Sequence, residues 1–278
     1  MTPARFRPTT VQEALPMIDS APRDAAGRRA HIVGTLHRAG FCSVTDLAEN
    51  LGVSDMTVRR DLRRLEEDGQ VRIVHGGASL PHGVLHAPAF DNRADTNAAG
   101  KRQVAAAALR LLDDRDTVAV DAGTTAYQFA SVLPETFAGC VVTHSVPVIQ
   151  LVLASARARL VGVGGDLHHP SKAFVGPMSV DAVSRLRLRT FFLGAGAIDG
   201  RGVYVGTDVE RPTKQALMGI ADSVVLLADA TKFHTSAPVL LCGLDWIDVV
   251  VTDRAPDDEM AAALRDAGVR LVLADAEE

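Results

Sequence analysis

From residue 100 onward, short apolar segments alternate with segments of helical periodicity, and no other feature of the chain constrains its fold as strongly. With 47% hydrophobic residues, the 278-residue chain can bury one large core and a smaller one. Alternating strands and helices predict an α/β fold, with a mostly parallel sheet covered by helices on both faces. Strands are predicted near Thr117–Asp121, Cys140–Thr143, Leu160–Gly164, Thr190–Gly194, Val224–Asp229, Ile247–Asp253 and Val269–Ala274. Helices are predicted at residues 98–113, 125–133, 145–156, 177–188, 211–221 and 257–267.

The segment before this alternation has the pattern of a winged helix-turn-helix. Residues 27–40 predict a first helix, and Ser43 begins a short second helix with a sequence similar to a capping box. Gly52 supplies a tight turn before Ser54 caps a third helix. Residues 71–80 then predict a hairpin, which would be the wing. This order of elements predicts a small N-terminal DNA-binding domain.

These patterns divide the chain into four segments. Residues 1–26 are rich in Pro, Thr and Ala and predict a flexible leader, in which Met17 is an alternative start of translation. The winged helix-turn-helix is predicted over residues 27–82. Residues 83–99 contain Gly, Pro and Asn in a composition typical of a linker. Residues 100–278 are predicted to form the second domain.

The third helix of the first domain has a cluster of arginines outside its apolar stripe. Val58, Leu62 and Leu65 repeat at helical spacing, which leaves the arginines on the other faces. A short helix with a polar start and clustered arginines suits insertion into a DNA major groove. The residues predicted to contact DNA are Ser43, Thr45, Ser54, Asp55, Thr57, Arg59, Arg60, Arg63, Arg64, Arg72 and His75. The alternative is a solvated helix on which the arginines pair with Asp61, Glu66, Glu67 and Asp68.

In the second domain, polar residues and glycines collect directly after the predicted strands. Ligands of open α/β sheets bind outside the carboxyl ends of the strands. The sequence from Gly123 to Thr125 leads into a helix, whose free N–H groups and dipole favour a phosphate. Lys232 can add a positive charge there, and the carboxylates suit sugar hydroxyls. The predicted effector-binding residues are Asp121, Gly123, Thr124, Thr125, Thr143, His144, Gly164, Gly165, Glu210, Lys214, Asp229 and Lys232.

Each of these signals also has a structural interpretation. The sequence from Gly123 to Thr125 could be only a helix cap, and the pair Gly164-Gly165 only a turn. A lone histidine such as His144 is more often structural than ligand-binding. Glu210 and Lys214 are four residues apart and could form either an exposed ion pair or a pair at the edge of a pocket.

Charge, cysteine spacing and hydropathy exclude several classes of protein. A formal net charge of −5 argues against a general polyanion binder. The three cysteines are far apart, and no acid–base constellation is visible, so no metal, no cofactor and no catalytic residue is predicted. No apolar run approaches the roughly 18 residues of a membrane span, and the N-terminus lacks a signal-peptide core. A cytoplasmic protein without membrane contact is therefore predicted.

Several stretches together resemble the DeoR family of bacterial transcriptional regulators. They are residues 47–54, 57–62, 75–78 and 121–125, Gly164-Gly165, Glu210, Lys214, residues 229–233 and Thr252-Asp253. The resemblance implies a winged helix that binds double-stranded operator DNA, and a sensor similar in fold to ribose-5-phosphate isomerase that binds a phosphorylated sugar or related metabolite. It also implies a homo-oligomer, a dimer or a tetramer. Where His144 stands, the family usually has Asn.

The resulting hypothesis is a repressor of carbohydrate-metabolism genes that a phosphorylated sugar releases from its operator. One alternative is a sugar-phosphate isomerase-like enzyme with a DNA-binding appendage, in which Asp121 or Asp229 acts as the base. A third is a constitutive DNA-binding protein whose second domain is an empty scaffold. Because one fold serves many functions, the fold alone does not decide among them.

Overall fold

The computed structural model describes residues 24–274, except residues 40, 69, 75, 80–89 and 156–157. Most of the predicted leader, including Met17, therefore lies outside the described residues, as does His75 of the predicted DNA-contacting set. The first helix already begins at Ala25, two residues before the predicted start of the domain. No helix in the described part of the chain is long and apolar enough to cross a membrane.

The N-terminal domain is a winged helix-turn-helix. Its elements are α1 (Ala25–Ala39), β1 (Phe41–Ser43), α2 (Val44–Leu51), α3 (Asp55–Glu67), β2 (Arg72–Val74) and β3 (Gly77–Ser79). Ser43 caps α2 by accepting a hydrogen bond from the Asp46 amide at 3.0 Å, and Ser54 caps α3. Gly52 turns the chain between these helices with a φ of +63°, a left-handed conformation that favours glycine. The strand β1 was not predicted and pairs with β3, in the order β1-β3-β2.

A shared core holds the three helices of this domain together, and ion pairs of Asp61 connect α1 with α3. Ile32 and Leu36 of α1 pack with Val58 and Leu62 of α3, and all four are almost fully buried. The buried carboxylate of Asp61 accepts a hydrogen bond from the Arg28 guanidinium at 2.9 Å. The apolar stripe predicted for α3 is therefore confirmed, and its opposite face remains at the surface.

The rest of the described chain forms the second domain. Its helices are α4 (Phe90–Ala94), α5 (Ala98–Ala108), α6 (Thr124–Ser131), α7 (Val146–Ser155), α8 (Pro177–Val183), α9 (Arg211–Gly219) and α10 (Asp258–Asp266). Its strands are β4 (Thr117–Val120), β5 (Cys140–Thr143), β6 (Arg159–Gly162), β7 (Asp166–His168), β8 (Ala173–Val175), β9 (Leu188–Gly194), β10 (Ala197–Asp199), β11 (Gly202–Val205), β12 (Ala221–Leu227), β13 (Val239–Cys242), β14 (Val249–Thr252) and β15 (Arg270–Leu273).

A parallel sheet in the order β15-β14-β12-β9-β4-β5-β6 forms the centre of this domain, and each of its strands corresponds to a predicted one. Its side chains alternate between two cores. Phe191 and Leu193 belong to the core that also contains residues of α8, α9 and α10. Phe192 belongs to the core that contains residues of α5, α6 and α7. The predicted cover of helices on both faces is thus confirmed.

Two features of this domain differ from the sequence prediction. Part of the predicted linker, residues 83–99, is helical because α4 lies within it, whereas α5 begins at Ala98, where a helix was predicted. Phe90 is buried there, its ring meets that of Tyr127 edge-on at 5.9 Å, and its amide donates to the Pro170 carbonyl at 2.8 Å. The hairpin β7–β8 and the small antiparallel sheet β10-β11-β13 were also not predicted. Their strands of three or four residues are too short to give a periodic signal.

Candidate DNA-binding surface and effector site

The surface of α3 presents four arginines to solvent, Arg59, Arg60, Arg63 and Arg64. Two of the four acidic residues that could have neutralised them are engaged elsewhere. Asp61 pairs with Arg28 in the core, and Glu66 accepts a hydrogen bond from the Ile73 amide of β2 at 2.7 Å.

Arg64 does pair with the nearby acids, at 3.1 Å from Glu67 and 3.8 Å from Asp68. Within the described part of the chain, Arg59, Arg60 and Arg63 form no ion pair. The alternative of a self-neutralised helix therefore describes Arg64 and not the other three. Three unpaired guanidinium groups on one exposed helix can bind phosphate oxygens.

The other residues predicted to contact DNA lie near the start of α3, in α2 and in the wing. Ser54 and Thr57 are joined by their hydroxyl groups at 3.0 Å, beside the exposed Asp55. Met56, which was not predicted, is 74% exposed at the same helix start. A large apolar residue outside the buried stripe of a helix was the sequence feature that could have identified it. Ser43 is occupied as the cap of α2, whereas Thr45 and Arg72 are exposed.

Buried charges in the second domain converge on Asp121, directly after β4. One oxygen of its carboxylate, Oδ1, lies 3.1 Å from His144 Nε2. The other, Oδ2, accepts hydrogen bonds from the Gly194 amide at 2.9 Å and from Lys214 Nζ. Burial alone would raise the pKa of Asp121, but Lys214 and His144 lower this pKa well below its usual range. The carboxylate is therefore ionised and held by three donors.

His144 joins Asp121 to the hairpin β7–β8. Its Nδ1 atom lies 2.9 Å from the Phe174 carbonyl oxygen of β8, and the side chain is fully buried. The histidine thus fixes the orientation of the Asp121 carboxylate relative to the hairpin.

Glu210 and Lys214 do not form the exposed ion pair that was one interpretation of their spacing. Both are buried, Glu210 directly before α9 and Lys214 on this helix. Lys214 pairs with Asp121, and Glu210 Oε1 lies 4.0 Å from Nδ1 of His168. The exposed-pair interpretation is therefore wrong.

The helix start at Thr124 retains the features that suggested a phosphate site. Gly123 occupies the N-cap position without a capping side chain, and Thr124 and Thr125 begin α6 as buried residues. The threonine side chains therefore do not serve as the cap.

Three other predicted effector-binding residues make structural contacts. The Thr143 hydroxyl donates to the Val120 carbonyl at 2.7 Å and accepts from the Ser145 amide at 3.1 Å. The Gly164 carbonyl accepts from the Ser179 hydroxyl at 2.8 Å. Gly165 has a φ of +149°, and a Cβ atom there would lie 2.1 Å from the Ser179 hydroxyl. The turn interpretation of the glycine pair accounts for these contacts.

A second buried cluster surrounds Asp229, directly after β12. Asp229 Oδ1 accepts hydrogen bonds from Asn97 Nδ2 at 2.9 Å and from the Thr231 amide at 3.2 Å. The fully buried Lys101 donates through Nζ to the Arg93 carbonyl. Burial and the nearby Lys232 lower the pKa of Lys101 to about 8. Burial also lowers the pKa of Lys232.

Sequence reasoning missed Arg93, Asn97 and Lys101 because it assigned two of them to a linker. Arg93 lies on α4, Asn97 between the two helices and Lys101 on α5, so no single helical periodicity in the sequence marks the three residues. No group of His, Cys, Asp or Glu side chains that could hold a metal ion occurs among the residues that the structure describes.

Two family models match the two domains. Residues 28–84 match the DeoR-like helix-turn-helix domain, and residues 96–254 match the DeoR C terminal sensor domain. The chain belongs to the DeoR family. The predicted family is thus confirmed, and the second domain is a DeoR sensor domain. Three members that are similar to this chain over nearly their whole length are named as transcriptional regulators or repressors.

Three of these DeoR relatives show the extent of the similarity. The chain is 29% identical to the glycerol-3-phosphate regulon repressor of Escherichia coli K12, over 88% of this chain and 98% of that protein. It is 32% identical to the HTH-type transcriptional regulator GlpR of Haloferax volcanii, over 89% and 97%. It is 28% identical to the putative aga operon transcriptional repressor of Escherichia coli O157:H7, over 88% and 93%.

Among solved structures, the chain is similar to ribose 5-phosphate isomerase A of Methanocaldococcus jannaschii, with 19% identity and a TM-score of 0.38. That similarity covers 49% of this chain and 55% of the isomerase.

Proposed function

We propose that this DeoR-family regulator represses carbohydrate-metabolism genes by binding operator DNA, and that a phosphorylated sugar bound to its sensor domain releases it. The observation that carries the proposal is the combination, in one chain, of an unpaired arginine face on α3 with buried charged clusters at the strand ends of the sensor. The first can bind a DNA backbone, and the second can bind a small polar ligand.

The arginine face supports DNA binding through phosphates. Arg59, Arg60 and Arg63 are exposed and lack ion pairs among the described residues, so little has to be broken before they contact phosphate oxygens. The start of α3, with the exposed Asp55 and the half-buried Thr57, is the part of a recognition helix that meets base edges. A homodimer would place two such helices in successive major grooves, so the operator should contain repeated half-sites.

The strand ends of the sensor support a phosphorylated ligand. Asp121 is buried there with Lys214, and Asp229 is buried in a second cluster; buried charged groups of this kind are frequent at ligand sites. The name of the Escherichia coli relative refers to glycerol 3-phosphate, a phosphorylated polyol. A phosphorylated sugar combines a similar phosphate with hydroxyl groups, which matches the cations and carboxylates present.

The state of Asp121 disfavours this residue as the base of the isomerase alternative. A general base works best when its pKa lies near the operating pH. The pKa of Asp121 is held well below its usual range, and its oxygens accept three hydrogen bonds. Such a carboxylate is suited to electrostatic anchoring rather than to proton abstraction.

The proposal is tested by operator-binding titrations of the full chain on the DNA upstream of its own gene. Each titration is repeated with a panel of phosphorylated sugars and with their unphosphorylated counterparts. At least one phosphorylated sugar should weaken operator binding by roughly 5- to 150-fold, the usual range of allosteric coupling. The unphosphorylated counterpart should have no effect. Identical operator binding under all conditions would contradict the effector part of the proposal.

A further inference from the structure

A large apolar side chain stands in solvent at the start of the arginine-bearing helix. Met56 of α3 is 74% exposed. The other exposed large hydrophobic residue among the described residues of the DNA-binding domain, Ile73 of the wing, is only 37% exposed. Single apolar residues are common on protein surfaces, so exposure alone indicates no function. The position of Met56 on α3 is what distinguishes it.

Met56 lies at the centre of the arginine face of α3. Successive residues of an α-helix are about 100° apart around its axis, which places Met56 about 180° from the buried Leu65. The same spacing places Arg59, Arg60 and Arg63 within about 60° of Met56. All three arginines are exposed. A helix that turns this face to DNA therefore also turns Met56 to it, one turn closer to the start of the helix.

The polar neighbours of Met56 are less free to meet a base edge. Ser54 Oγ lies 3.0 Å from Thr57 Oγ1 and also accepts a hydrogen bond from the Thr57 amide at 3.3 Å. Asp55 is exposed but acidic, and the DNA phosphates repel a carboxylate. Met56 can therefore enter a groove without breaking a capping hydrogen bond and without bringing like charges together.

The major groove offers such a side chain one matching partner. The edges of the base pairs carry hydrogen-bond donors and acceptors there, and the 5-methyl group of thymine is the apolar group among them. A methionine thioether is flexible and polarizable, so it adapts to irregular apolar surfaces. Contact between the two groups removes apolar surface from water on both sides, which is favourable.

We infer that Met56 contributes to operator specificity by packing its thioether against the methyl group of a thymine in the major groove. The inference rests on the proposed function, because it requires α3 to be the helix that enters the groove. It adds a base-reading side chain to a face whose arginines bind phosphates irrespective of sequence. Each operator half-site should then contain a thymine at the base pair that faces the start of α3.

The test removes the methyl group from the DNA and the thioether from the full-length protein, separately and together. Each thymine of the operator half-sites is replaced in turn by deoxyuridine, which lacks the methyl group but keeps every hydrogen-bonding atom. At one thymine, the replacement should lower wild-type affinity by about 4- to 15-fold, the loss expected for one or two buried methyl groups. Met56→Ala should bind the unmodified operator more weakly by at least this factor. It should be insensitive to deoxyuridine at the same position.

A second exposed methionine supplies the matched control. Met178 is 72% exposed on α8 of the sensor domain, so Met178→Ala makes the same chemical change at a similarly exposed position. It should bind the operator, and respond to deoxyuridine, like the wild type. Met56→Ala should keep the Tm of the wild type, because substitutions of exposed residues rarely affect stability. It should also keep the slope of log affinity against log salt concentration, because no phosphate contact is lost.

Two results would overturn the inference and leave the proposed function intact. In the first, no deoxyuridine affects wild-type binding. In the second, every deoxyuridine weakens the wild type and Met56→Ala by the same factor, so that the methyl group acts through the shape of the DNA and not through Met56. In both cases the wild type still binds its operator and is released by a phosphorylated sugar. If the wild type binds no fragment of the DNA upstream of its gene, the inference and the proposed function both fail.

Discussion

At the scale of single residues, the sensor depends on carboxylates whose charge is balanced inside the protein. Asp121 is fully buried, and Lys214 is the cation that pairs with it. Removing one partner of a buried pair leaves an uncompensated charge, which commonly costs about 3–5 kcal/mol. The contribution of this pair to stability therefore depends on both partners being present and charged.

We expect Lys214→Met to lower the free energy of unfolding by about 3–5 kcal/mol at pH 7, measured by urea denaturation. Lys172→Met is the matched control, because Lys172 pairs at the surface with the exposed Asp91 at 2.7 Å. The loss of such a surface pair should cost at most about 1 kcal/mol. Equal losses in the two variants would contradict the assignment of Lys214 to a buried pair.

The lowered pKa of Asp121 also predicts how stability depends on pH. A carboxyl whose pKa is lower in the folded state stabilises the protein above its unfolded pKa of about 3.9. That contribution is lost as the pH falls from there through the folded value. The wild type should therefore lose stability below about pH 4, and Lys214→Met should lose less over the same interval. Parallel pH profiles for the two proteins would show that Lys214 does not lower this pKa.

At the scale of elements, α3 combines a buried stripe with an exposed arginine face. We expect Arg60→Ala to weaken operator binding by at least about tenfold and to reduce the slope of log affinity against log salt concentration by about one. Arg64→Ala is the matched control on the same helix, since Arg64 is already paired with Glu67 and Asp68. It should have the smaller effect. Fluorescence anisotropy with labelled operator at several salt concentrations measures both quantities.

The elements also show how far the sequence determines the fold. Strands of the parallel sheet are buried on both faces, so they occur in the sequence as apolar runs, and their order with the helices was predictable. The capping of α2 and α3 was predictable as well, because it depends on residues only three apart. Phe90 was missed because composition suggested a linker, although one large buried ring suffices to attach a short helix.

The candidate site was likewise only partly predictable from the sequence. Polar residues after strands were predictable because parallel strands end at one edge of the sheet. Their partners were not, since Asn97 and Asp229 are 132 residues apart and only the folded chain brings them together. Thr143 and Gly165 show the converse, since their positions suggested ligand contact. The Thr143 hydroxyl instead bonds to the backbone, and at Gly165 the close approach of Ser179 leaves no space for a side chain.

At the scale of the whole molecule, DNA binding and effector sensing should be separable by mutation. We expect Lys232→Ala to retain wild-type affinity for the operator but to need at least about tenfold more phosphorylated sugar for release. The Lys232 ammonium group lies beside Asp229 in the sensor domain, whereas α3 belongs to the DNA-binding domain. Lys172→Ala serves as the control lysine of the sensor and should respond like the wild type. A Lys232→Ala protein released at the wild-type concentration would exclude this residue from the effector site.

The central claim is that one chain links an operator to a phosphorylated sugar. It is tested most directly by measuring the operator affinity of the full-length protein with each phosphorylated sugar and with the same sugar lacking its phosphate. The account predicts that one phosphorylated sugar weakens operator binding by roughly 5- to 150-fold and that its unphosphorylated form does not. Operator affinity that stays the same with every phosphorylated sugar, or that falls equally with the unphosphorylated form, would contradict it.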